Sequence, residues 1–304
     1  MNCVELNDVT KTFGATTAVA DLSLAVPAGS VYGFIGPNGS GKTTTLRMIT
    51  NILTPDRGVI RVFGDTLRGS RSRRLGYLPE ERGLYRRMKV RSFLRFYGEL
   101  KAGRPVEDDI ERWIRTLQLT DHAGKRIEAL SKGTSQRVQF IAAVVGDPEL
   151  VILDEPFSGL DPLHADLLRQ AILDLRHAGK TVILSTHDMR VAETMCDFVF
   201  MIFRGRKVLD GTLAEIKSKF GADTLRFRIG SGDATRLAGL PGVDAVRDLG
   251  RVQEIRLTPA ADPQDVLRRV LEVDSVHSFE ITQPSLHDIF VRIAGDPAPE
   301  AGHA

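Results

Sequence analysis

Hydrophobic and polar positions divide the chain into short apolar runs ended by turn residues and longer stretches whose apolar residues recur with a helical period. Residues 4–9 and 18–26 predict two strands at the start. Residues 31–35 are apolar apart from a small glycine, which predicts a strand buried on both faces. A Gly-rich turn follows, then a helical pattern over 43–50. Further strands are predicted over 59–63, 75–78, 151–153, 181–185 and 197–203, and helices over 91–100, 106–119, 135–145, 163–176 and 190–195. Strands alternating with helices imply a mostly parallel sheet covered by helices, an α/β fold. Residues 82–145 interrupt the alternation with helices alone and read as a helical subdomain inserted into the sheet domain.

The pattern changes near Gly221. Strand 224–229, helix 234–240, strands 243–249 and 252–257, helix 263–273 and strand 276–281 follow the β-α-β-β-α-β order of a ferredoxin-like unit, closed by a helix over 285–293. The expected organisation is a domain over 1–220, a small α+β accessory domain over 221–295, and a Pro/Ala/Gly-rich disordered tail over 296–304.

Composition narrows the class. The 304 residues are 42% hydrophobic and 26% charged, which argues against a disordered, collagenous or disulfide-stapled chain. Lys plus Arg is 41 against 39 for Asp plus Glu, and a formal net charge of +2 gives no global field to attract nucleic acid. Cys3 and Cys196 lack metal-ligand or disulfide spacing and read as reduced thiols of a cytosolic protein. The first eight residues carry acids and no apolar run, so no secretory signal is expected. The longest apolar runs fall far short of the ~20 residues of a spanning helix.

The chemistry concentrates in two stretches. Gly36-Pro37-Asn38-Gly39-Ser40-Gly41-Lys42-Thr43 fits G-x-x-x-x-G-K-[ST] between a predicted strand and a predicted helix, the context the motif requires. Glycines let the backbone curl until several N–H groups face one anion, and the partial positive charge at the start of the helix favours phosphate there. Lys42 is placed to bridge the β- and γ-phosphates and Thr43 to put its hydroxyl on Mg²⁺, with Thr44 completing the nucleotide-binding set. Residues 151–155 form an apolar strand ending in two carboxylates. Asp154 fits the Mg²⁺-holding acid. Glu155, pointing elsewhere, fits a group that accepts a proton from, or orients, the attacking water.

With these residues in this order, the chain resembles the ATP-binding cassette (ABC) ATPases over about residues 4–220. Leu130-Ser131-Lys132-Gly133-Thr134-Ser135-Gln136 is similar to the family's signature stretch, and Ser158-Gly159-Leu160-Asp161 to its D-loop. Thr186-His187-Asp188 looks like its switch histidine, and Phe13 stands where the family keeps an aromatic that stacks on adenine. Two positions depart from the pattern. Lys132-Gly133-Thr134 replaces the usual Gly-Gly-Gln, and Glu80 stands where glutamine is common; its carboxylate keeps reach to Mg²⁺ or water but adds negative charge. Both variants resemble an export-type bacterial subset with an extra C-terminal domain, as does the ending Pro284-Ser285-Leu286-His287-Asp288-Ile289-Phe290.

The resemblance implies a P-loop cassette with a helical insert and a small ferredoxin-like domain, using ATP and Mg²⁺. Two cassettes sandwich two nucleotides in this family. Lys42, Thr43, Asp154 and Glu155 of one subunit then face Ser131 and Gly133 of the other, with His187 at the γ-phosphate and Asp161 reaching the partner. On this reading Glu155, His187, Lys42 and Asp154 are catalytic. Phe13, Gly36 to Thr44, Glu80, Ser131, Gly133 and Asp161 bind nucleotide, and Thr43, Asp154 and Glu80 hold the metal. The implied function is ATP hydrolysis powering export through a separate transmembrane permease, by a homodimer or paralogue heterodimer on the cytoplasmic face of the cell membrane, without nucleic acid. Arg82, Arg86, Arg87, Lys89 and Arg91 interleave with Leu84, Tyr85, Phe93, Phe96 and Tyr97. That stretch reads either as a groove for a short helix of the membrane subunit or as a solvated basic face. The basic run 68–74 reads as a solvated loop, and His122, His164 and His177 as structural. A soluble relative acting on DNA or ribosomes is disfavoured, because the chain has no long insert, second cassette or zinc cysteines. A GTPase is disfavoured by the lack of an Asn-Lys-x-Asp motif.

Overall fold

The computed structural model describes residues 1–66, 73–81, 83–220 and 223–295. The basic run over 68–72, Arg82, Gly221 and the tail over 296–304 lie outside the described residues. The chain divides into two compact units, Met1–Leu213 and Ala214–Ala304.

In the first unit, β1 (Asn2–Phe13) and β2 (Thr16–Pro27) form an antiparallel hairpin longer than the apolar runs predict. Its register shifts between Leu6 and Val9, and Asp8 and Asp21 have positive φ. These irregularities break the two-residue alternation on which the prediction relied. β3 (Val31–Ile35) leaves the hairpin for a second sheet and passes through the Gly-rich turn into α1 (Lys42–Ile49). β4 (Arg57–Val62) and β5 (Asp65–Thr66) rejoin the hairpin, giving the order β2-β1-β4-β5. β6 (Leu75–Leu78) belongs to the second sheet. The segment after it is helical among the described residues: α2 (Val90–Ala102), α3 (Glu107–Thr116) and α4 (Lys132–Val144), with two short 3-10 turns. Then come β7 (Leu150–Asp154), α5 (Pro162–His177), β8 (Thr181–Thr186), α6 (Met189–Met195), β9 (Phe198–Phe203) and β10 (Arg206–Thr212). The second sheet has the order β10-β9-β3-β8-β7-β6 and is parallel except for the β9–β10 hairpin.

The parallel strands are buried on both faces, and their side chains alternate between two cores. Tyr32, Phe34, Ile152 and Ile183 pack with Leu46 and Ile49 of α1 and with the antiparallel hairpin. Val31, Val151, Leu153, Val182 and Leu184 pack with Leu94, Ile110, Phe140, Ile141, Leu168 and Ile172 of the covering helices. Each such side chain contributes about 1.5–3 kcal/mol on burial. The register this fixes pairs Ile35 with Thr186 and Asp154 with Ser185. The loops leaving β3, β7 and β8 therefore open at one edge of the sheet, where ligands bind in open α/β sheets.

The second unit opens along α7 (Leu213–Phe220), so the division falls at the start of that helix rather than after it. It continues through β11 (Thr224–Ile229), β12 (Val243–Asp248), β13 (Gln253–Leu257), α8 (Pro263–Val273), β14 (Val276–Thr282) and α9 (Leu286–Gly295). The sheet is antiparallel in the order β12-β13-β11-β14, over a separate core of Leu225, Phe227, Ile229, Ile255, Val266 and Val270. This is the expected ferredoxin-like order with one correction. The helix predicted over 234–240 is only a 3-10 turn, Ala234–Arg236. Asp233 caps it through the Thr235 N–H, and Gly239 at φ +89 ahead of Pro241 stops a helix from propagating.

Candidate functional site

The Gly-rich turn is shaped by its close neighbours. Gly36 has φ +154, and a Cβ there would lie 2.3 Å from the Ile202 carbonyl oxygen. Gly41, the residue before α1, has φ +111, and its Cβ would lie 2.6 Å from the Ala18 carbonyl oxygen. No side chain caps α1, which leaves its first N–H groups facing the turn. Lys42 folds back over the loop, donating to the Gly36 carbonyl at 2.7 Å and the Pro37 carbonyl at 3.1 Å. Thr43 and Thr44 are half-buried on the first helical turn, and the buried Ser40 hydroxyl has no hydrogen-bond partner among the described residues.

Acids converge on this lysine. The Lys42 ammonium lies 4.0 Å from Glu155 Oε1, both side chains being largely enclosed. Burial lowers the Lys42 pKa, opposed by the charges of Glu155, Asp154 and Glu80. Asp154 ends β7 fully buried. Its Oδ1 accepts from the Ser185 hydroxyl, while its Oδ2 has no partner among the described residues. Glu155 follows at φ +49, a left-handed conformation that costs a non-glycine residue about 1–2 kcal/mol. Its N–H faces the Ser185 hydroxyl at 3.1 Å and the Ser185 carbonyl at 3.3 Å. This turn of the backbone aims the Glu155 carboxylate at His187, whose Nδ1 is 2.9 Å from Oε1. Burial raises the Glu155 pKa, and His187 and Lys42 pull it back.

The structure thus brings the phosphate loop, Glu80, Asp154, Glu155 and His187 together. The remaining candidates lie elsewhere in the first unit. Ser131 caps α4 by accepting from the Thr134 N–H at 3.1 Å. This cap starts the helix at Lys132, ahead of the predicted 135. Gly133 backs onto the D-loop: a Cβ there would lie 3.3 Å from the Gly159 carbonyl oxygen. Asp161 caps α5 and bonds the ring of His164 at 2.5 Å. Phe13 closes the β1–β2 hairpin with 49% of its surface exposed and Lys11 5.6 Å above its ring, so it is not a core aromatic.

The matches to known proteins agree with this arrangement. Residues 19–158 match the family "ABC transporter". The uncharacterized ABC transporter ATP-binding protein YhaQ of Bacillus subtilis is 38% identical over 95% of this chain and 98% of its own length. The chain belongs to the ABC transporter ATP-binding proteins. As a member of that family it binds ATP and is an ATPase. Residues 211–294 of this ABC protein match the C-terminal domain of the "ATP-binding protein DrrA1-3-like" family. The daunorubicin/doxorubicin resistance ATP-binding protein DrrA of Streptomyces peucetius is 33% identical over 98% of this chain and 94% of its own. Nod factor export ATP-binding protein I of Rhizobium sp. (strain N33) is 33% identical over 96% and 97%. A solved ATP-binding subunit of an ABC transporter superposes with TM-score 0.67 at 31% identity, covering 72% of this chain and 93% of that one.

Two contacts around the ABC site escape sequence reading, although Gln136 itself closes the signature-like stretch. Ser185 bonds both Asp154 and Glu155 but belongs to another strand, so only the β7–β8 register reveals it. Gln136 reaches the Pro156 carbonyl from α4. Its signal was a run of polar residues, Thr134 to Arg137, inside a helix that is almost wholly buried.

Proposed function

We propose that this chain is the nucleotide-hydrolysing subunit of an exporter, with the phosphate loop, Asp154, Glu155 and His187 as its reaction centre. The observation that carries the reading is the enclosed Glu155 carboxylate, held between the Lys42 ammonium and His187 at the mouth of the loop. Lys42 and the loop N–H groups from Gly36 to Thr44 bind the polyphosphate. Glu155 takes the proton of, or orients, the attacking water, and His187 holds the carboxylate and contacts the γ-phosphate. Phe13 stacks on adenine; its exposed ring is free to do so.

The residues present suit Mg²⁺. Asp154 Oδ2 is a buried carboxylate oxygen with no partner among the described residues, the donor type a hard divalent cation prefers. No cluster of three acidic, His or Cys ligands occurs among the described residues, as befits an ion that takes much of its shell from phosphates and water. Thr43, Asp154 and Glu80 would hold it, and it would supply positive charge against the polyphosphate.

Ser131, Lys132 and Gly133 form an exposed or half-exposed helix N-terminus, suited to a phosphate on a second cassette. Pairing of two cassettes, as a homodimer or with a paralogue, completes each site, with Asp161 at the junction. Among the described residues no helix is long and apolar enough to cross a membrane. The transport path then belongs to a separate membrane subunit, and the cassette works from the cytoplasmic face of the cell membrane. Tyr85 and Phe96, both more than half exposed beside Arg86, Arg87 and Lys89, suit a docking groove for that subunit. Export is supported by the likeness to the Nod factor export ATP-binding protein I.

Glu155→Gln tests the reaction centre. The variant is expected to bind ATP, hydrolyse it far more slowly and accumulate as an ATP-bound dimer by size-exclusion chromatography; fast turnover removes Glu155 from its role. Purification from membranes in detergent tests the partner. A polytopic membrane protein is expected to co-purify, and recovery of ribosomes or DNA instead would overturn the exporter reading.

A further inference from the structure

α4 carries polar side chains where a core helix has no packing need for them: Thr134, Ser135, Gln136, Arg137 and Gln139 are all buried. Arg137 bonds the Leu117 carbonyl at 2.8 Å, and Gln139 reaches the Glu81 carbonyl at 3.5 Å. Gln136 reaches the reaction centre. Its amide nitrogen donates to the Pro156 carbonyl at 3.0 Å and lies 3.5 Å from the Glu155 carbonyl, with only 2% of the residue exposed.

Those carbonyls adjoin the one backbone position whose geometry aims the Glu155 carboxylate. A glutamate keeps φ +49 only if its surroundings hold it there. On one side Ser185 of β8 engages the Glu155 N–H; on the other, Gln136 of α4 engages the carbonyls that follow. The strained peptide is clasped between a strand and a helix. The helix is the one whose N-terminus carries Ser131 and Gly133, less than two turns from Gln136.

We propose that Gln136 is a positioning residue for hydrolysis, through which the signature helix of each subunit sets the main chain of that subunit's own Glu155. The inference rests on the assignment of Glu155 as the water-activating carboxylate. Its consequence is that α4 belongs to two sites at once. Its N-terminus faces the nucleotide of the other subunit, while its second turn fixes the carboxylate of its own. A displacement of α4 when one site closes is then felt as a change in carboxylate geometry at the other.

Gln136→Met keeps length and volume but removes the N–H donor. The expected result is a ~10- to 100-fold lower kcat, the scale on which misplaced catalytic groups slow enzymes. The KM for ATP is expected to stay within about twofold, because no phosphate-loop atom is touched. Gln253→Met, a buried glutamine of the second unit, should leave kcat near the parent value. In a Glu155→Gln background the Gln136→Met effect should vanish, since the group it positions is gone. Parental kcat in Gln136→Met overturns the proposal. So does an undiminished loss in the Glu155→Gln background, which would make Gln136 a packing residue only. Normal turnover by Glu155→Gln alone would instead strike the assignment of Glu155 itself. If Gln136→Met does not fold, Gln136→Asn, which retracts the same amide by one methylene, carries the same comparison.

Discussion

At the scale of single residues, Glu155 concentrates the physics of the site. Burial lifts its pKa above the ordinary 4.5, against the pull of His187 and Lys42. A carboxylate whose pKa is higher in the folded state favours folding while protonated, and that contribution disappears as pH rises through the folded value. At neutral pH the ionised group therefore weakens the fold. Glu155→Gln is expected to melt above the parent at pH 7, with the difference closing below pH 4.5; differential scanning calorimetry checks this. With Glu155 in its proposed water-activating role, the same shift places the acid limb of the kcat/KM–pH profile above pH 4.5, because that group must be ionised. Lys42, Asp154 and Glu155 stand out as candidates in the sequence because each sits in a short motif whose spacing follows from its chemistry, and His187 stands out only through the family resemblance. The contacts that Ser185 and Gln136 make with the turn at Glu155 do not show in the sequence, since nothing in local spacing tells which strand or helix lies alongside.

At the scale of elements, the caps decide where the functional helices start. Ser131 satisfies the Thr134 N–H, and Asp161 satisfies that of His164. Ser131→Ala is expected to cost about 1 kcal/mol in urea unfolding, the usual loss at an N-cap, with α4 fraying first. Asp161→Asn, which keeps a capping oxygen, should cost much less in the same measurement. Element reading succeeded for the buried parallel strands, whose apolar runs admit one interpretation. It failed at β10, whose residues are half-buried and mixed in character, and at 234–240, where Asp233, Gly239 and Pro241 outweigh an apolar spacing that looks helical. The long β1–β2 hairpin was read short for a related reason: its irregular register hides the alternation.

At the scale of the whole molecule, the reaction-centre motifs all precede the second unit, and each unit has a hydrophobic core of its own. A chain ending at Phe220 is expected to bind ATP with nearly the parental affinity, measured by fluorescence of a nucleotide analogue. Complete unfolding of that chain, which keeps α7, would show that the first unit does not fold without the rest of the second. The separate core bears on genetics. A missense change at Phe227, wholly enclosed among Leu225, Ile255 and Val270, strikes the folding of a unit that carries none of the phosphate-binding motifs. In a functional screen such an allele would imitate an active-site lesion, and only an immunoblot beside the phenotype would reveal that the cell lacks the protein rather than its chemistry.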